Sequence, residues 1–311
     1  MRPPEILCVL LPLALSPQPA LAQTADQNPP AYSLSVSVDE VILTFHAADA
    51  HGLPVNDLKP AELTLLDNDQ PPRKILDFQL LHDAPLRAGI VIDTSESMQT
   101  NLPRDRSIAI AYARQLLRQS TDQAFVTEFG RIAKSLQSWT SDAAALTSAV
   151  RSISVGGAGP SPGTAIYDAL LRACFNQFDE AHHATTGNFV LLFSDGEDNA
   201  SFSSLKEAVS MCQRSNTAIY AFRSGSGFGS GPSTLASLTS ETGGRVFRDA
   251  DTDADIFADL RAIEANLRNQ YRLVYRPASL QRDGSFHRIT LEAPNRVATT
   301  TIRSGYYAPT H

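Results

Sequence analysis

The stretch Ala88-Gly89-Ile90-Val91-Ile92-Asp93-Thr94-Ser95-Glu96-Ser97 decides how the chain is read. An apolar run, Gly89 to Ile92, stops at an aspartate, and two serines follow at alternate positions. A short apolar run bounded by polar residues reads as a buried strand. Residues 105–119 then carry Ile108, Ala111, Leu116 and Leu117 with helical spacing. The unit is therefore strand–loop–helix, the building block of an α/β sheet. Ligands of such sheets sit at the carboxyl ends of the strands, so Asp93, Ser95 and Ser97 stand where a ligand would bind. One carboxylate and two hydroxyls form a hard, oxygen-only donor set of low charge. That set suits a hydrated Mg²⁺ or a similar divalent ion.

Downstream the same alternation continues. Strands are predicted at 124–129, 135–139, 189–193, 218–222 and 245–247, and helices at 142–152, 164–178, 203–214, 232–242 and 253–268. This order predicts an α/β fold with a doubly wound, mostly parallel sheet covered by helices on both faces. Two more oxygen donors stand at element ends. Thr164 follows the Gly- and Pro-rich loop 155–163, at a loop-to-helix junction, and Asp195 follows strand 189–193 directly in Ser194-Asp195-Gly196. The strands that end at Asp93 and Asp195 can be neighbours across the topological switch point. Their carboxylates would then face one ion.

The flanks have a different texture. Leu34, Val36 and Val38 alternate with serines, residues 41–47, 63–66 and 75–81 are strand-like, and Asp67 to Pro72 is a turn cluster. Past the last helix, residues 271–275, 286–291 and 298–302 are again strand-like. Neither flank has enough strands to bury a face alone. The expected organisation is a small β-sandwich made by 32–84 and 270–311, with an α/β domain of 85–269 inserted between them.

Ahead of it, residues 1–22 read as a signal peptide: Arg2, an apolar core from Ile6 to Leu15, and Ala20-Leu21-Ala22 before Gln23. Residues 23–31 read as a disordered polar lead-in. The apolar core is too short to span a bilayer, and no later stretch suits a membrane helix. The mature chain is expected to be exported (periplasmic, envelope-associated or secreted) without membrane insertion. A net charge of −7 over 311 residues gives no support for binding nucleic acid or an anionic membrane. Cys8 leaves with the leader. Cys174 and Cys212 remain, on predicted helices, as a candidate disulfide in an exported chain or as two buried thiols.

With Asp93, Ser95, Ser97, Thr164 and Asp195 in this order, the chain resembles the von Willebrand factor type A domain family and its metal-ion-dependent adhesion site. The resemblance covers about residues 85–268. The flanks, with Tyr271-Arg272-Leu273 and Ser304-Gly305-Tyr306-Tyr307-Ala308-Pro309, are similar to a secreted bacterial subgroup seen largely in acidobacteria. The resemblance implies a Rossmann-like fold and a Mg²⁺, with Mn²⁺ or Ca²⁺ as alternatives. It implies that Ser95 and Ser97 bind the metal directly, Thr164 directly or through water, and Asp93 and Asp195 often through water. It also implies an open coordination position for an acidic residue of a protein partner, and no enzymatic activity. Glu96 departs from the family, where many members have glycine, and adds a negative charge beside the ion.

Competing readings are weaker. Asp93, Ser95 and Ser97 alone could serve as a helix-capping loop. A nucleophilic serine lacks the Gly-x-Ser-x-Gly setting and an implied histidine base; Asp93 as a phosphoryl acceptor leaves Thr164 unexplained. A metal-dependent hydrolase, or a subunit presenting substrate to one, is the runner-up, and an envelope component in which the metal only stabilises the fold is a third class. Asp249, Asp251, Asp253 and Asp255 fail the calcium-loop spacing, since Ala254 holds the glycine position and Leu260 the bidentate acid position. They read as the acidic start of the last helix. Glu197 and Asp198 read as acidic surface loop, with a secondary cation as the alternative, and His182 with His183 as an exposed pair.

Overall fold

Amphipathic segments between short apolar runs fold here around one mostly parallel sheet, and alternating runs at the two ends of the chain form antiparallel sheets. The computed structural model describes residues 40–118, 120–159, 162–178, 186–225, 229–248 and 252–310. The predicted leader, the lead-in, the strand around residues 34–38, the His182 and His183 pair, Asp249 and Asp251 lie outside the described residues.

Three strands come first: β1 (Val41–Ala48), β2 (Thr64–Asp67) and β3 (Lys74–Leu81). The central domain then runs β4 (Leu86–Asp93), α1 (Leu102–Gln115), β5 (Gln123–Phe129), β6 (Ala133–Thr140), α2 (Ala143–Ser152), α3 (Ile166–Asn176), β7 (Gly187–Ser194), α4 (Leu205–Arg214), β8 (Thr217–Arg223), α5 (Gly231–Thr242), β9 (Val246–Phe247) and α6 (Asp253–Arg268). β10 (Gln270–Arg276), β11 (Phe286–Glu292), β12 (Thr299–Ile302) and β13 (Gly305–Tyr307) follow.

The central sheet has the order β6-β5-β4-β7-β8-β9. β6 pairs antiparallel with β5; the other pairings are parallel. The first strand, β4, has β5 on one side and β7 on the other, so the winding reverses between β4 and β7. Both strands are covered on both faces, which is why they read as unbroken apolar runs. Ile90 and Ile92 pack with Ile108 and Tyr112 of α1, Leu146 of α2 and Leu260 of α6. Val91 points the other way, among Ile166 and Leu170 of α3, Val209 of α4 and Leu235 of α5. Period-two alternation along one strand thus feeds two separate cores. Gly89 is needed for close packing, because a Cβ there would stand 2.6 Å from Phe125 Cζ.

The terminal strands build two sheets, β12-β1-β10-β3 and β13-β11-β2. Their inner faces share one core that includes Leu43, Phe45, Leu65, Tyr271, Tyr275, Ile289 and Leu291. Strands from both ends of the described chain are thus interleaved in one sandwich. A short strand absent from the sequence reading, β13, pairs with β11; three residues cannot display a period. The chain enters the α/β domain near Ala84 and leaves it near Arg268. There the Ala84 N–H donates to the Arg268 carbonyl at 3.0 Å, so the two crossings are tied together.

Helix starts differ from the sequence reading in two informative places. α1 begins at Leu102 rather than Asp105, because Pro103 occupies its first turn, where a missing N–H costs nothing. α3 begins at Ile166 rather than Thr164. Ala165 is non-helical (φ −115°, ψ 71°), which leaves Thr164 in the loop ahead of the helix.

Candidate functional site

β4 and β7 are neighbours in register from Leu86 with Gly187 to Ile92 with Phe193. That pairing carries Asp93 and Ser194 to the same edge of the sheet, with Asp195 one residue beyond. Asp93 is fully buried. Its Oδ1 accepts the Ser95 N–H at 2.9 Å and its Oδ2 accepts the Ser194 hydroxyl at 2.8 Å. Burial pushes the Asp93 carboxyl up to about 6; the hydrogen bonds from Ser95 and Ser194 oppose the rise, and the Asp195 charge adds to it.

The loop after Asp93 turns sharply. Thr94 is buried, and both its N–H and its hydroxyl donate to the Phe129 carbonyl, at 2.7 and 3.0 Å. A 3₁₀ turn, Glu96–Met98, follows, with Met98 fully buried as an anchor. This geometry leaves Ser95 half-buried, Ser97 exposed, and their hydroxyl oxygens 3.1 Å apart. Adjacent oxygens of an octahedral Mg²⁺, each about 2.1 Å from the ion, stand about 3.0 Å apart. The observed spacing is one that two neighbouring oxygen ligands of a hard divalent cation can adopt. Asp93, with both oxygens already engaged, suits a supporting position behind the serines. Glu96 points to the exposed surface of the same turn.

Thr164 is buried and its backbone is held on both sides. Its N–H donates to Asn199 Oδ1 at 2.8 Å, and its carbonyl accepts the N–H groups of Asn199 and Ala200 at 3.0 and 3.1 Å. Gly163 before it has φ +120°, and a Cβ there would stand 2.9 Å from the Ala200 Cβ; only glycine allows this close approach. The Thr164 loop and the loop after Asp195 are thereby locked together. Asp195 Oδ1 accepts the Glu197 N–H at 3.0 Å.

The acids expected as plain surface loop act as backbone caps. Asp198 accepts from Tyr167 N–H and from the N–H and hydroxyl of Ser201. Asp168 reciprocates by accepting from Phe202 and Ser203 N–H. Glu197 accepts from Ser230 Oγ and Gly231 N–H, at the start of α5. Behind these caps Cys174 of α3 and Cys212 of α4 are joined by a disulfide with Cα atoms 5.0 Å apart. The helices that start from the Thr164 and Asp195 loops are thus cross-linked.

Among the described residues, no three His, Cys, Asp or Glu side chains converge to hold a metal. At the switch point the bonded polar groups are Asp93, Ser95, Ser97 and Ser194, with Thr164 and Asp195 on the adjoining loops. Sequence reasoning missed the roles of Asn199, Asp168 and Asp198, whose value lies in bonds across loops. It also placed Asp67 in a turn. Asp67 is buried, and accepts from the Tyr275 and Tyr306 hydroxyls at 2.7 and 2.8 Å while standing 2.7 Å from His287 Nδ1. That network ties together the strands of the sandwich.

Fold and site together define a Rossmann-like domain with its polar cluster at the switch point. The von Willebrand factor type A domain matches residues 89–262, and the chain belongs to that family. The comparison with curated proteins gives no match. Among solved structures, the conserved hypothetical protein BatB from Bacteroides thetaiotaomicron is similar at 17% identity and a TM-score of 0.47, over 57% of this chain and 97% of that one. Proximal thread matrix protein 1 from the mussel byssus, in a structure titled with a zinc-occupied MIDAS motif, is similar at 20% identity and 0.49, over 65% and 50%. A von Willebrand factor type A protein from Catenulispora acidiphila is similar at 15% and 0.47, over 87% and 72%.

Proposed function

We propose that this chain is an exported binding module that holds a divalent cation at Asp93, Ser95, Ser97, Thr164 and Asp195 and uses it to bind an acidic residue of a protein partner. The observation that carries the reading is the Ser95–Ser97 hydroxyl pair, 3.1 Å apart above a buried Asp93 at the switch point. Mg²⁺ is the proposed ion on this hard oxygen donor set, with Mn²⁺ or Ca²⁺ as alternatives. Ser95, Ser97 and the Thr164 hydroxyl would be its direct ligands, and Asp93 and Asp195 would hold its waters. A cation bound mainly by neutral hydroxyls keeps the charge with which to attract a carboxylate.

Binding rather than catalysis is the favoured reading, because the Ser95 hydroxyl is bonded to Ser97 and the Asp93 carboxylate, with no histidine among the described residues beside it to act as a base. Export rests on the predicted leader, and the Cys174–Cys212 disulfide agrees with an oxidising compartment. No helix among the described residues is long and apolar enough to cross a membrane. Membership of the secreted bacterial subgroup, argued from both flanks, belongs to the same proposal.

Calorimetry with Mg²⁺ and Mn²⁺ tests the site. The wild type should bind one ion, and Asp93→Ala should weaken it by at least about tenfold, as loss of a supporting partner does at metal sites. Equal binding by the two proteins would overturn the proposal. Mass measurement of the exported chain checks the leader, with Gln23 as the expected first residue.

A further inference from the structure

The turn between β5 and β6 brings a cation to the rim of this site. Gly130 is buried in that turn. Its carbonyl accepts the Ala165 N–H at 2.8 Å, and a Cβ on it would stand 3.6 Å from the Gly163 carbonyl and 3.8 Å from Thr94 Oγ1. The turn is therefore wedged between the Asp93 loop and the Thr164 loop. The next residue, Arg131, is exposed. Its Nη1 reaches back beside Gly163, 3.7 Å from where a Cβ would be, and so lies next to the residue preceding Thr164. Among the described residues the Arg131 guanidinium has no hydrogen-bond or ion-pair partner. The acid on the same hairpin, Glu128, is already paired with Lys134 at 2.9 Å. Ile132 follows, 59% exposed, with its Cδ1 resting near Gly159 of the loop that leads to Thr164.

An unpaired guanidinium and an exposed isoleucine side by side are unusual neighbours for a polar site. A guanidinium presents a planar fork that matches a carboxylate, and the exposed Ile132 beside it offers apolar area that a bound side chain could cover. Resting on the cation-site reading above, we propose that the partner is an acidic segment bound at two points. One carboxylate goes to the cation at Ser95, Ser97 and Thr164. A neighbouring carboxylate pairs with Arg131, and an apolar side chain beside it covers Ile132. Charge supports this occupant. A divalent ion held mainly by neutral hydroxyls keeps positive charge, and Arg131 adds a second positive group on the same rim, partly offset by the exposed Glu96 of the neighbouring turn. Arg131 is then a specificity residue that separates acidic pairs from single acids.

The test uses the full chain loaded with Mn²⁺ and two synthetic peptides, acetyl-Gly-Asp-Gly-Leu-Gly-amide and acetyl-Gly-Asp-Asp-Leu-Gly-amide. Water-proton relaxation reports displacement of metal-bound water as each peptide is added. The wild type should prefer the two-acid peptide by about three- to fivefold, the range of a partly exposed ion pair, and the preference should shrink in 0.5 M salt, an ionic strength of about this size being strongly screening. Arg131→Gln should erase the preference and leave Mn²⁺ affinity within about twofold, since Arg131 is not among the metal-binding set. A preference that persists in Arg131→Gln, a wild type without preference, or a wild type that binds neither peptide would each overturn the proposal. Failure of the wild type to bind Mn²⁺ at all is read separately and refutes the underlying cation site, with this inference along with it.

Discussion

Replacing Arg268 with methionine should destabilise the whole chain through one buried carboxylate. Arg268 closes α6 and is 3% exposed; Asp122, in the loop before β5, is fully buried. Their pairing is two-pronged, Nη1 to Oδ1 at 2.9 Å and Nη2 to Oδ2 at 2.5 Å. Asp122 also accepts the Leu86 and Arg118 N–H groups at 3.0 and 2.9 Å, and Arg268 Nη1 reaches the Ala84 carbonyl. The pair therefore fastens the place where the chain enters and leaves the α/β domain. Burial alone would push the Asp122 carboxyl up, but Arg268 and the two backbone donors outweigh it and hold it below its ordinary range. Methionine fills similar volume and removes the charge. Breaking a buried pair from one side costs about 3–5 kcal/mol, which for a domain of this size lowers Tm by on the order of 10 °C.

The pH dependence gives a second readout. In the wild type the depressed Asp122 contributes stability that is present above its unfolded pKa and is lost as pH falls through its folded value. In Arg268→Met the unpaired, buried Asp122 rises above its unfolded pKa, so the sign reverses, and the deficit should shrink as pH is lowered from 8 towards 5. Adding Asp122→Asn should recover a good part of the loss at pH 8, because no buried charge then remains unpaired. Urea and thermal unfolding followed by circular dichroism measure all three proteins. A Tm drop below about 2 °C, about 1 kcal/mol at this size, or a double variant no better than the single one, would refute the reasoning.

Further outcomes are expected elsewhere. Glu264 is buried beside this pair, 3.9 Å from Arg268 Nη2, and burial pushes its carboxyl up to about 7. Its raised pKa favours the fold below the unfolded value and loses that contribution as pH rises through about 7, so Glu264→Gln should stabilise the protein by about 1–3 kcal/mol at pH 8 and by little at pH 4.5, as urea titrations at the two pH values will read. The Cys174–Cys212 bridge closes a 38-residue separation; replacing both cysteines with alanine should cost about 4 kcal/mol on chain-entropy grounds, seen in melts under non-reducing conditions. Both sulfurs are buried, so a thiol reagent added to native protein under mild reductant should find no reactive cysteine. Leu191 in β7 is fully buried, and Leu191→Ala should lower stability by about 2–5 kcal/mol by leaving a cavity.

Much of the α/β domain was legible because its signals are local. The run from Gly89 to Ile92, the switch from hydroxyls to helical spacing after Ser97, and the Asp195 that ends β7 can all be read within a few residues. The last helix was placed at 253–268, the observed span of α6, because Thr252 and Asp255 form a capping box and Arg268 ends the last turn. The limits of α1 and α3 were shifted because one proline and one non-helical alanine set them. β13 escaped notice because it is a strand only by virtue of its pairing with β11. The roles of Asn199, Asp168 and Asp198 were equally hidden, since each bonds a backbone group about 30 residues away.

The sequence alone determined the α/β class, the order of the elements and which oxygen donors stand at strand ends, because hydrophobic periodicity and turn chemistry act over short spans. Only the tertiary structure decided that β4 and β7 are neighbours, that the Ser95 and Ser97 hydroxyls stand 3.1 Å apart, and that Thr164 is braced by Asn199. It also decided that Asp67, read as part of a turn, is buried as an acceptor for two tyrosines, and that Arg131 reaches back beside Gly163. The physical reason is the same in each case. These relations are distances between segments remote in the chain, and they come into existence only when the sheet has wound and the two cores have closed.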